Sequence, residues 1–425
     1  MKKLLFPAMF LAATIVGCAD DESTAVGGAS TIDNGDLVSI NVYAGTTKGD
    51  DTTTNSIELD EYVLLHIDDS DGVAESYKFV YSSSDWSQSG SSITWSDIKF
   101  PANFYSLHDD AALDGVTFYD DDENLSDGYA KYENYKVTGN SSTHKDLVYH
   151  ASRLSAAPSG GTLSAYHKHA LSKIHLYAST GYNLLYVARV QMVNIDGKGT
   201  VTITPLDATD ITTSNGVEWD VTEDNQTYQY FFISGDTPTK FTGSNQLINT
   251  EKDAPLMIIP QQTTKATVVG SDDSLVATIS EGSYIEVIYY LTNSAGVPIV
   301  GYSSVSEMPN GSYYKDENQV LYVAAAFPLG YTFTDNTEYD ITLGIGSKGS
   351  TGGKLIYDYY VDKNGDPVYL TKVDGDDDDD EEEVEVPEID EGDDILSDGD
   401  DEIDIVVSAC DWTTGSSVDL TGSEL

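Results

Sequence analysis

The chain has 425 residues, and its 21 Lys and Arg face 72 Asp and Glu, a formal charge of −51. So acidic a protein excludes nucleic acid as a natural partner and is repelled by anionic lipid headgroups. There are two cysteines, Cys18 and Cys410, and no apolar run after the first is long enough to cross a bilayer. The length predicts two domains of ordinary size held by burial.

Lys2 and Lys3 precede an apolar run over residues 4–16, and Gly17 and Cys18 close it. Basic flank, short apolar core and small residue before a cysteine predict a secretory leader over 1–17 and a lipidation site at Cys18. A cut before Cys18 frees an amine and a thiol for acyl chains, and several chains together hold a protein at a membrane. With Cys18 acylated, no internal disulfide remains to be made. Residues 18–36 read as a polar tether whose first members are Ala19, Asp20, Asp21 and Glu22.

From residue 37 onward short alternating runs dominate: VSINVYA, EYVLLHI, YKFVY, KIHLYA, LYVARVQMV, GTVTITPL, YQYFFI, YIEVIYYL and YDITLGI. Such runs, separated by Gly, Asn and Asp, predict an all-β chain of the sandwich type. Two hairpins are expected, one closing over Asn293 to Gly296 and one over Asn364-Gly365. DLVYHASRL, residues 146–154, reads as a helical turn. Gly344-Ile345-Gly346-Ser347-Lys348-Gly349 matches a dinucleotide glycine pattern but leads into another strand, so it reads as a hairpin loop.

In the first strand Val38, Ile40, Val42 and Ala44 share one face, because side chains alternate. Lys48 follows as a candidate protease site. Cleavage there would release the strand and bare an apolar groove with unpaired backbone groups. Near the other end Ile403, Ile405, Val407 and Ala409 make a similar face. Burying four such side chains contributes on the order of 5–10 kcal/mol before ordering costs. The second face is therefore a candidate donor for the groove left by the first, or each strand simply belongs to the core of its own domain.

Residues 374–404 hold 20 Asp or Glu among 31 positions. That density repels itself into an extended, disordered insert. It also offers weak calcium binding, since hard cations take carboxylate oxygens. Alternate Asp374, Asp376 and Asp378 imitate a calcium loop, but the turn glycine and the terminal bidentate Glu are missing from register.

Several islands together resemble the fimbrillin (Mfa-like) family, fimbrial subunit lipoproteins of the Bacteroidales. They are LVSINVYAGTTKG, DWSQSGSSITWSDIKFPANFYSL, KDLVYHA followed by LSAYHKHALSKIHLYA, APLMIIPQQT, and a last strand ending at Asp411-Trp412. The residues after Cys18 resemble the acidic export tag of surface lipoproteins from the same order. The resemblance implies two tandem Greek-key or transthyretin-like β-sandwiches, 37–180 and 181–425, and polymerisation by strand exchange. It implies other fimbrial subunits as partners, the outer membrane as anchorage through lipid, and host or bacterial surface ligands. Two departures stand out. Lys48 occupies a place where shaft subunits usually have Arg, and FTDNTEYDITLGIGS replaces the usual Trp and Pro-Gly-Lys turn.

No catalytic constellation appears, and no enzyme is expected. His167 and His169 lie two apart and with His150 could bind a transition metal; the blander reading is surface imidazoles beside a structural His169. The leading functional reading is a structural fimbrial subunit or accessory lipoprotein serving adhesion at the cell surface. The alternative is a surface glycan-binding lipoprotein using Trp86, Trp95, Trp219 and some of the 29 tyrosines as platforms.

Overall fold

The computed structural model describes residues 36–44, 62–71, 74–82, 85–109, 115–119, 128–137, 146–181, 183–207, 216–243, 246–248, 256–270, 275–308, 313–314, 318–346, 350–368, 371–372, 395–396, 405–411 and 417–418. Strands account for nearly all regular structure among them, and helical geometry is confined to 3-10 turns such as Trp95–Asp97 and Val305–Glu307. The chain is all-β, in agreement with the alternating runs.

Among the described residues up to 203 the strands are β1 (Ser39–Ala44), β2 (Tyr62–Asp69), β3 (Ala74–Ser82), β4 (Asp85–Ser89), β5 (Ala102–Asp109), β6 (Val116–Tyr119), β7 (Tyr129–Lys136), β8 (Leu147–Leu154), β9 (Thr162–His169), β10 (Ser172–Ser179), β11 (Leu184–Ile195) and β12 (Lys198–Ile203). The first sheet runs in the order β1-β9-β8-β5-β2-β3-β4. The second centres on β10 and the strand Thr337–Gly344, which is followed by Ile405–Asp411. The third places β11 and Tyr284–Thr292 between Gln226–Phe232 and Val323–Pro328. The fourth joins Val217–Thr222, β12, β7 and β6.

Chain order and sheet membership part company at residue 180. β10 precedes that point but, among the described residues, pairs only with strands that follow it. β12 follows it and pairs with β7 before it. The main core accordingly joins Tyr105, Leu147 and Tyr149 to Ile174, Leu185, Val287, Phe327 and Ile341. A second core, around Val38, Leu65, Phe79 and Trp95, fills the inside of the first sheet. A third covers the other face of the third sheet through Ala188, Ile288, Tyr290 and Tyr322. Tyr284–Thr292 is therefore buried on both faces, which explains its unbroken EVIYYL.

Both expected turns are present. Asn293 N–H donates to the Val297 carbonyl at 2.9 Å and Gly296 has φ +83°, closing Tyr284–Thr292 onto Pro298–Val300. At the other turn Gly365 N–H donates to the Asp362 carbonyl at 3.0 Å, although single bridges flank it instead of long strands.

Two expectations are corrected. Residues 146–154 form strand β8, with no helical turn. β8 lies between β5 and β9, and its run from Leu147 to Ser152 is buried throughout because cores cover both faces. Consecutive burial erases alternation and imitates a helix in sequence. The segment from 344 to 349, of which 347–349 lie outside the described residues, does not join two mutually paired strands as a hairpin loop would. Thr337–Gly344 belongs to the second sheet and the next strand, Lys354–Leu355, to the third, so this segment crosses between sheets. At the end of the crossing Gly353 has φ +88°, and a Cβ there would come within 2.9 Å of the Phe327 ring.

Where the fourth sheet covers β2, His66 stacks on Phe118 with ring centroids 3.6 Å apart. His66 Nδ1 meets Ser76 Oγ at 2.9 Å, whereas Nε2 is buried and has no hydrogen-bond partner among the described residues. Burial lowers the pKa of His66 from 6.5 to about 4. It does the same to His150, down to about 4, against a hydrogen bond to the Tyr166 carbonyl that raises it. Between those values the unfolded chain binds more protons than the folded one, so stability is lost as pH falls from about 6.5 to about 4. His66→Phe is expected to remove on the order of 1–3 kcal/mol of that acid loss. Urea unfolding near pH 7 and near pH 4.5 measures it, and an unchanged pH dependence would contradict the assignment.

Candidate strand-exchange site

β1 ends the first sheet, and its ladder partner is β9. The pairing is parallel and in register, from Ser39 opposite Thr162 to Ala44 opposite His167. Alternation turns Val38 and Ile40 inward, each 2% exposed, while Leu37 is 56% exposed and Asn41 lies outward. The two inward side chains enter the second core, with Leu163 and Ala165 of β9 and with Phe79, Ile93, Trp95 and Phe104. Together they contribute roughly 3–6 kcal/mol by burial.

The other edge of β1 is closed by side-chain chemistry. β4, at the far end of the same sheet, comes round to meet it. Gln88 Nε2 donates to the Val38 carbonyl at 2.7 Å and to the Ile93 carbonyl at 3.0 Å. Its Oε1 accepts from Ile93 N–H at 2.7 Å. Val38 N–H donates to the Ile93 carbonyl at 3.0 Å, and Trp95 N–H to the Asp36 carbonyl at 3.1 Å. The sheet is thus rolled, and β1 lies in its seam.

On the β9 side the Gly161 carbonyl gathers three donors. They are Ser39 N–H at 3.4 Å, Ser39 Oγ at 2.9 Å and Trp95 Nε1 at 2.7 Å. Gly161 reaches that position with φ +69°, in the region that favours glycine. Without β1, β9 would lose its ladder over residues 162–167 and the second core would open along the seam. An apolar strand that restores the same contacts could close it again.

Of the residues singled out in the sequence, Val38 and Ile40 line the seam, and Val42 and Ala44 continue β1 opposite Ala165 and His167. Ile405, Val407 and Ala409 are half-buried against the main core, where Ile405–Asp411 pairs antiparallel with Thr337–Gly344. The two faces therefore occupy different cores within one chain. Cys18, Lys48, Ile403, Asp374, Asp376 and Asp378 lie outside the described residues. Gln88 and Ile93 went unnoticed in the sequence, because one Gln in a polar strand carries no signal of the seam it closes.

His169 is a structural residue, as one reading expected, but its neighbours are not surface imidazoles and the three do not form a metal site. His150, His167 and His169 are buried, not surface imidazoles. His167 Nε2 meets Ser106 Oγ at 2.9 Å, His150 Nε2 meets Ser152 Oγ at 3.0 Å, and His169 Nδ1 pairs with Asp146. Their nitrogens are turned to three separate partners, so they converge on no common point for a metal. The aromatic platforms are similarly committed. Trp95 is buried, while Trp86 and Trp219 are half-buried, and Trp219 Nε1 donates to the Ala170 carbonyl at 2.8 Å.

No protein-family model and no curated protein matches this sequence. Among solved structures the chain is similar to a candidate cell adhesion protein from Parabacteroides distasonis, with 12% identity and a TM-score of 0.37 over 79% of this chain and 91% of that one. It is similar to another from Bacteroides eggerthii, with 12% identity and a TM-score of 0.36 over 89% and 93%. A third, from Bacteroides ovatus, has 8% identity and a TM-score of 0.33 over 81% and 99%.

Gln88→Ala leaves the Ile93 amide and the Val38 carbonyl short of partners, at a cost of about 1–3 kcal/mol. Ile40→Ala empties part of the second core and costs about 2–4 kcal/mol. Both variants are expected to speed amide hydrogen exchange in residues 162–167 of β9. Wild-type protection there in both would rule out the seam as the point that holds β1.

Proposed function

We propose that this chain is a non-enzymatic structural subunit or accessory lipoprotein of a fimbria. It is lipid-anchored at Cys18 in the outer membrane, exposed at the cell surface, and serves adhesion. In this reading it joins neighbouring subunits by exchange at the β1 seam. One observation carries the proposal. β1 is a terminal strand whose Val38 and Ile40 plug a core of their own, and Lys48 lies four residues past its last residue. The family resemblance of the sequence islands points the same way.

A cut after Lys48 leaves β1 held by its ladder with β9, by Gln88 and the short backbone bridge to residues 93–95, by Ser39 Oγ on Gly161, and by the apolar plug. A strand from a neighbour then replaces like with like, so exchange costs little beyond ordering the incoming segment. The candidate donor is residues 403–425, whose Ile405, Val407 and Ala409 repeat the spacing of the β1 face. To donate, Ile405–Asp411 must first leave its ladder with Thr337–Gly344. Ile395 and Leu396, within the acidic stretch 374–404, bond to Gly353 and Thr351 and pack on the main core, so they must also detach, or residues 397–404 alone must span the movement.

The test uses the chain without its leader, treated with a trypsin-like protease. A clip at Lys48 followed by ladders on an unboiled gel is the expected result, and deletion of 403–425 is expected to leave monomers. Ladders from the deleted form would remove the donor assignment. A chain clipped at Lys48 that stays monomeric would remove the exchange itself.

A further inference from the structure

The outer face of the second sheet carries a polar cluster that the β1 seam does not use. Lys173 and His175 stand on β10, and Glu338 and Asp340 on the neighbouring strand Thr337–Gly344. The ladder is parallel and in register, with Lys173 opposite Glu338 and His175 opposite Asp340. All four therefore share one face, opposite the Ile174, Leu176, Tyr339 and Ile341 that enter the main core.

His175 Nδ1 lies 3.2 Å from Glu338 Oε1 and 3.3 Å from Asp340 Oδ1. One donor atom from each of the three residues falls within 4.8 Å of the others. A tetrahedral zinc ion with bonds of about 2.0–2.1 Å sets its ligands about 3.3 Å apart. Both separations from His175 Nδ1 fit edges of that tetrahedron. One imidazole nitrogen with two carboxylate oxygens is also a donor set that first-row divalent ions accept.

We propose that His175, Glu338 and Asp340 form a three-ligand site for a divalent transition metal of the zinc class, with its fourth position open to solvent or to a partner. His175 and Glu338 are 13% and 7% exposed, so packing fixes their positions. Asp340, 43% exposed, forms the open side through which an ion enters. Lys173 Nζ holds the other Glu338 oxygen, Oε2, at 3.4 Å and leaves Oε1 for the metal. It is a positioning residue, fixing the carboxylate as outer groups do in metal sites. The acidity of the whole chain raises the local concentration of cations.

The bound ion would tie β10 to Thr337–Gly344, the same strand that carries Ile405–Asp411. The site thus stands independently of strand exchange and is tested apart from it. The competing description is a protonated imidazole bridging two carboxylates, which satisfies the same distances.

The experiment loads the metal-stripped chain, without its leader, with cobalt(II) in excess calcium. Calcium fills oxygen-only carboxylates such as those of 374–404 and leaves a nitrogen-containing site to cobalt. One equivalent is expected to give the visible absorption of four-coordinate cobalt, and zinc is expected to displace it. His175→Ala and Asp340→Asn are each expected to weaken binding tenfold or more. Asp340 is the more exposed, so its variant tests the site even where His175→Ala fails to fold. Lack of that absorption in the wild type, or the same affinity in the wild type and Asp340→Asn, would overturn the site and leave the protonated bridge.

Discussion

Closure of the rolled first sheet depends on β1. The second core has its own set of side chains, separate from the main core, and β1 contributes Val38 and Ile40 to it. A sheet that curls until its ends meet needs something at the join. Here the join is a strand laddered to β9 on one side and held through Gln88 and Ile93 on the other. The β1–β9 pairing is parallel, so more than a hundred residues of chain separate the two strands and no tight hairpin joins them.

The second and third sheets meet a different requirement. Their inner faces build the main core, and the third sheet is covered again on its outer face. Several charged side chains on the outer faces of these sheets are paired. Arg189 donates to Glu286 on the outer face of the third sheet, and Lys173 and His175 meet Glu338 on the second. Leaving one partner of such a pair alone in the interior costs far more than the pair itself contributes. Glu338 shows the balance. Burial raises its pKa, yet the hydrogen bond from His175 and the charge of Lys173 outweigh burial and leave it below the usual carboxylate value.

Most strands were legible because a half-buried strand writes its burial into the chain at period two. LYVARVQMV in β11, GTVTITPL in β12 and KIHLYA in β10 alternate as their burial does. The signal failed where both faces are covered. β8 buries six residues in succession from Leu147, and its sequence lost the alternation that marks a strand. The glycines after residue 344 misled for a related reason. Gly and Ser mark a change of direction without saying whether the chain returns to the same sheet or crosses to another.

By itself the sequence determined the class of the fold, the two turns at Asn293 and Asn364, and the inward face of the first strand. Each of these rests on neighbours within a few residues, and local periodicity records them. Tertiary structure alone decided that Val38 faces Trp95 and Gln88, that the three buried histidines part company, and that His175 meets Glu338 and Asp340. Those contacts join residues dozens to more than a hundred positions apart. They depend on sheet order and register, which one chain's local pattern does not encode.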